Sequence, residues 1–173
     1  MGDDVLAIFE TDATPDEKLD ALMPALARAL DCERCVMYLR DPATDRGRAL
    51  HRWASKPEFE LRREDRGWQP NPATLLDDDP MFAEAMRNPE ALFIDDIGKA
   101  DPALVNAAYE IEHFGHQALV HAPVWHDGEM YGILEPSAMT RPRTWSADDR
   151  ALVAEVQRKI GPVVASFMRA DAK

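Results

Sequence analysis

A chain of 173 residues with a formal net charge of −12 has the length of one domain with a single core, and its acidity opposes sequence-independent attraction to nucleic-acid backbones or anionic membrane surfaces. Two cysteines, Cys32 and Cys35, are too few for a disulfide framework and fit a reducing compartment. Apolar runs are short, and the first residues are acidic where a secretion signal is basic, so the sequence predicts a soluble, cytoplasmic protein with neither nucleic acid nor membrane among its partners.

Residues 1–13 hold Val5, Leu6, Ile8 and Phe9 as anchors and read as an N-terminal extension. Thr14-Pro15-Asp16-Glu17 then combines a hydroxyl N-cap, a proline at the first helical position and a glutamate at the third, the pattern of a capping box. Leu19, Leu22, Met23, Leu26 and Leu30 form one apolar stripe along this helix, which Pro24 should bend. Strands are predicted at Cys35–Leu39 and Leu50–Trp53, joined by the turn-rich segment 41–47. The stretch from Ser55 to Asp78 is polar and irregular, with Trp68 in its middle, and a loop of this length implies a task such as lining a pocket.

Asp79-Pro80 and Asp101-Pro102 both look like helix starts, the first running through Met81, Phe82, Ala85 and Met86 and the second through Leu104, Val105, Ala108 and Ile111. A short strand, Leu92-Phe93-Ile94, lies between them. Ala118–Trp125 and Met130–Leu134 read as a hairpin turned by Asp127-Gly128. Ser146 caps a closing helix with apolar Leu152, Val156, Ile160, Val163 and Phe167, which Gly161-Pro162 should interrupt. Hairpins imply an antiparallel sheet and hence an α+β fold, and the nearly continuous apolar strands imply cover on both sheet faces. The arginine pairs Arg46/Arg48, Arg62/Arg63 and Arg141/Arg143 are dispersed and read as solvated loops.

This order of elements, with Cys35-Val36-Met37-Tyr38-Leu39-Arg40-Asp41, the strand from Ala118 to Val124, the Asp127-Gly128 turn, Tyr131-Gly132-Ile133-Leu134, and Trp145-Ser146 leading into the last helix, resembles the GAF domain family from about Thr14 to Phe167. The resemblance implies an antiparallel sheet of about six strands, with terminal helices on one face and short helices plus a long loop on the other. It places the domain at 14–169, with 170–173 as a tail. It further implies a sensory or regulatory module that binds a small ligand or a partner protein in signal transduction, and a homodimer through the terminal helices. Family members that attach bilin use a cysteine near the pocket helix, and this chain has none after position 35, so covalent bilin is not expected. Neither the Asn-Lys-Xaa-Phe signature of cyclic-nucleotide binders nor the loop cysteines of the methionine-sulfoxide-reductase branch is found, and the cofactor stays unassigned.

Trp53, Trp68 and Phe82 are candidate walls of a ligand pocket, with His113, His116 and His121 as polar contacts. Trp68 is the expected lid. Glu135, just before Pro136, reads either as a buried carboxylate in the same pocket or as an exposed strand end. No catalytic motif is apparent. The competing enzyme reading is a metal- or thiol-dependent redox activity using Cys32/Cys35 or Glu110, His113 and His116; the cysteines read more simply as core packing.

Overall fold

The computed structural model describes residues 2–61 and 66–172, so Arg62 and Arg63 lie outside the described residues. A short helix, α1 (Gly2–Ala7), precedes α2 (Pro15–Ala29). The capping box at the start of α2 is reciprocal: Glu17 N donates to Thr14 Oγ1 at 3.3 Å, and Thr14 N donates to Glu17 Oε2 at 2.8 Å. Then come β1 (Arg34–Asp41), β2 (Arg46–Ala54), β3 (Gln69–Pro70), α3 (Leu75–Asp78), α4 (Pro80–Ala85), β4 (Leu92–Ile94), α5 (Ala107–His113), β5 (Ala118–His126), β6 (Glu129–Ala138) and α6 (Ala147–Asp171).

Three local expectations change. Asp101-Pro102 opens a turn, in which Asp101 accepts from Ala103 N at 2.9 Å. The helix waits until Ala107, where Asn106 caps it by accepting from Tyr109 N at 3.3 Å; a second cap-forming side chain downstream captures the free N–H groups instead. Leu104 and Val105 therefore precede α5. The loop after β2 is also less irregular than its composition implies, since it contains β3 and α3. Finally, α6 runs unbroken through Gly161-Pro162. Gly161 has a packing reason, because a Cβ there would come within 2.7 Å of the Trp125 carbonyl oxygen, so glycine lets α6 lie close on β5.

The strands form one six-stranded antiparallel sheet in the order β3-β2-β1-β6-β5-β4. Asp127 and Gly128, at φ +49° and +79°, make the tight turn between β5 and β6 with the left-handed pair that such a hairpin requires. Side chains alternate between the two faces. Cys35, Met37, Leu39, Val120, Ala122, Val124 and Leu134 pack with Leu19, Leu22, Leu26, Val156 and Ile160 into the main core beneath α2 and α6. Each such aliphatic side chain contributes about 1.5–3 kcal/mol on burial. The N-terminal segment joins this layer through Val5. Of the expected apolar stripe of α6, Val156, Ile160 and Phe167 are buried within the chain, together with Val153 and Val164, while Leu152 and Val163 are half-buried. The opposite sheet face lies under α4, α5 and the loop after β2, which is the α+β arrangement the sequence implied.

Candidate ligand cavity

On that opposite face, alternate residues of neighbouring strands make a floor. The antiparallel register sets Val36 beside Glu135 and Tyr38 beside Ile133. The register that pairs Leu119 with Ser137 and Ala122 with Leu134 puts His121 across from Glu135 on the other side. Tyr38 reaches over Gly47, where a Cβ would collide with its hydroxyl; the hydroxyl donates to Asn71 Oδ1, and the ring meets Phe82 edge-on at 5.9 Å. The floor is roofed by Asp79 and Phe82 at the start of α4, by Tyr109, Glu112, His113 and Phe114 along α5, and by Leu61, Pro70, Asn71, Pro72 and Leu75 of the loop. Between floor and roof is a cavity of about 490 Å³ with mainly apolar walls.

Beside the floor, between α5 and the same sheet face, is a sealed polar cluster. Gly115, at φ +70°, reverses the chain after α5 and brings His116 back under the helix. His116 Nε2 lies 2.7 Å from Glu110 Oε2, while its Nδ1 lies 3.2 Å from Ser137 Oγ and 3.4 Å from Arg34 Nη2. Arg34 also donates to the carbonyl of Phe114 at 2.9 Å and to that of Phe59 at 3.4 Å, so one guanidinium anchors both the end of α5 and the loop. Burial dominates the protonation equilibria here. It pushes the Glu110 carboxyl up to about 8 and Glu135 up to about 7, and it raises Asp79. It presses His116 down to about 4 and His121 down to about 3, so both imidazoles are neutral near pH 7.

Four of the residues singled out in the sequence, Phe82, His113, His121 and Glu135, line the cavity. Glu135 thus takes the inward of its two readings. His113 sits exposed at the rim, its Nδ1 3.0 Å from the Tyr109 carbonyl oxygen. His116 lies beside the floor, between α5 and Ser137 of β6, and does not line the cavity. Trp53 and Trp68 belong to the other sheet face. Trp53 pairs in register with Cys35, whose side chain faces the helices, and Arg28 of α2 stacks over its ring at 5.5 Å. Trp68 packs under Arg48 at 5.4 Å and donates from Nε1 to Asp171 Oδ2 of α6 at 2.9 Å, so it straps the loop to the helical layer and forms no lid. Sequence reasoning missed Tyr38, Asn71, Asp79, Tyr109 and Phe114; the polar His121 and Glu135, set in otherwise apolar strands, were the signal that could have located the floor.

The two sets of groups in the redox reading lie on opposite faces of the sheet. Cys32 and Cys35 are buried on the helical side of the sheet, where burial pushes the Cys32 thiol up to about 12 and raises that of Cys35. Glu110 is engaged by His116, and among the described residues no three His, Cys, Asp or Glu side chains gather as metal ligands. Also among the described residues, no helix is long and apolar enough to cross a membrane.

The family model for the GAF domain matches residues 14–161. The chain belongs to the GAF domain family. GAF domains are sensory, ligand-binding signalling domains. Solved GAF domains share the fold at low identity. The GAF domain of an Acinetobacter phosphoenolpyruvate-protein phosphotransferase superposes with a TM-score of 0.70 at 15% identity, covering 95% of this chain and 90% of that one. A phycocyanobilin-bound GAF domain from a cyanobacterial phytochrome gives 0.71 at 16% identity, over 98% and 97% of the two chains. The blue-light-absorbing form of the Thermosynechococcus elongatus PixJ GAF domain gives 0.65 at 18%, over 98% and 89%. No curated protein matches the chain in sequence.

Proposed function

We propose that this GAF domain is a sensory module whose input is a small organic molecule held in the cavity between the sheet and the α4–α5 roof. The observation that carries this reading is the cavity itself. Its volume of about 490 Å³ lies in the range of small-molecule sites, and apolar walls with a few convergent polar groups are the usual composition of such sites. The phycocyanobilin-bound phytochrome domain, which has the same fold, supports the idea that this architecture holds a ligand. Covalent bilin is not part of the proposal, because both cysteines lie on the far side of the sheet. The output is assigned to the helical face, through a second copy of the chain or a signalling partner.

The test is native mass spectrometry of the purified protein after exposure to a metabolite panel, with thermal shift as a parallel readout. Wild type should retain at least one compound and melt higher with it. Ala49→Phe, which places a ring in the cavity, should stay folded and lose both effects. Uptake that persists in that variant, or a panel with no binder, would overturn the reading.

A further inference from the structure

We infer that the cavity selects a ligand carrying a protonated amine, with Glu135 as its counter-ion, His121 as a second acceptor and the surrounding aromatic rings as walls for the cation and its apolar body. The inference rests on the ligand-binding reading above and specifies the chemical class of ligand.

The observations converge on charge. Glu135 sits on the floor with its side chain only 14% exposed, and its closest ion-pairing atom is His116 Nδ1 at 3.6 Å. That nitrogen faces an arginine N–H and Ser137 Oγ, and His116 itself is neutral, so among the described residues no charged side chain touches Glu135, although the Arg34 guanidinium beyond His116 favours its ionised form. His121, only 3% exposed, lines the cavity across from Glu135, and its Nδ1 is buried with no hydrogen-bond partner. That nitrogen is closed off even from the cavity, so a ligand meets the imidazole at its other nitrogen, Nε2. Asp79 adds a second buried carboxyl to the wall, though one of its oxygens already caps α4 by accepting from Phe82 N at 3.0 Å.

No lysine or arginine is among the described lining residues, and Arg34 is drawn away toward backbone carbonyls and His116. An anionic ligand would therefore meet buried carboxyls with no lysine or arginine among the described residues of the wall. A metal ion is a poorer match than an ammonium, because the described residues offer no set of three ligating side chains. An ammonium brings donors for Glu135 and His121 together with positive charge, and the rings of Tyr38, Phe82, Tyr109 and Phe114 around the cavity suit a cation and an aromatic or aliphatic body.

Isothermal titration with three indoles of similar size separates the charge classes: tryptamine (cationic), tryptophol (neutral) and indole-3-acetate (anionic). Wild type should bind tryptamine at least about tenfold more tightly than the other two, the difference expected of one charge-assisted contact. Glu135→Gln, which keeps the shape and relieves a buried charge, should remove that preference and leave tryptophol binding unchanged. Glu129→Gln, an exposed carboxylate of the β5–β6 hairpin outside the cavity lining, should change tryptamine affinity by less than about twofold. Tryptophol or indole-3-acetate binding as tightly as tryptamine, a preference that survives Glu135→Gln, or no saturable tryptamine binding would each overturn the assignment. In all three cases the ligand-binding reading still stands if Ala49→Phe abolishes uptake of another panel compound, and falls if it does not.

Discussion

Glu110 and His116 meet at 2.7 Å with neither side chain in contact with solvent, and this pair fixes the roof of the cavity to its floor. The donor Arg34 Nη2 beside His116 Nδ1 makes that nitrogen the acceptor, which leaves the imidazole proton on Nε2 to be donated to Glu110 Oε2. Glu110 belongs to α5 and Ser137 to β6, so the imidazole bridges helix and sheet. Tyr109, Glu112 and His113 on α5 are held over the cavity by that bridge.

The pair makes stability depend on pH in a direction set by its carboxyl. Glu110, with an unfolded value of 4.5 and a folded value of about 8, binds a proton in the folded state that the unfolded chain has released, so its contribution falls as pH rises from 4.5 through 8. His116 acts in the opposite sense: with 6.5 unfolded and about 4 folded, it adds stability as pH rises through that interval. His121, lowered in the same way as His116, joins it in opposing the carboxyls up to about pH 6.5, and between there and about pH 8 the raised carboxyls set the slope. The urea midpoint of wild type should therefore be lower at about pH 8 than at about pH 6.5. Glu110→Gln, which can still accept from His116, should flatten that decline, and an unchanged slope in the variant would show that the pH dependence arises elsewhere.

Trp68→Ala should weaken the fold and spare the cavity. The indole is half-buried, stacks with Arg48 and is hydrogen-bonded to Asp171, so its loss is expected to cost about 1–3 kcal/mol in urea unfolding. Ligand retention in native mass spectrometry should match wild type once the protein is held well below its melting temperature. Lost retention at unchanged stability would restore Trp68 as a lid.

Val156→Glu should unfold the chain without first releasing a partner. Val156 is fully buried among the sheet and α2 residues, and an uncompensated carboxylate there is expected to cost more than about 3 kcal/mol. Light scattering and circular dichroism on the same sample decide the matter: loss of helical signal is expected, whereas a folded monomer derived from a wild-type dimer would place Val156 at an interface.

Signals confined to a few adjacent residues were readable from the chain alone. The Thr14 and Ser146 caps and the Asp127-Gly128 turn all depend on side chains and backbone within one turn of each other, and each appears where the sequence put it. Asn106 was equally local, but Asp101-Pro102 carried the stronger pattern and concealed it. The faces of the sheet were harder. Whether Trp53 points at the helices or at the cavity is decided by its pairing with Cys35, and Trp68 is held by Asp171 at the far end of the chain, so neither location follows from neighbouring residues. Glu135 was noticed for its chemistry, while Tyr38 escaped because an apolar strand buried on both faces gives no polar alternation to mark which side is which.

The Trp68–Asp171 bond changes what the sheet separates. Pro70, Asn71 and Pro72 form part of the cavity wall, and Trp68, a short step earlier in the same segment, is fastened to the last turn of α6 on the opposite face. The sheet is therefore no sealed partition between a ligand side and a helix side. One short stretch of backbone passes around its β3 edge and touches both, so the Pro70–Pro72 wall and α6 are joined by a route that crosses none of the buried strands.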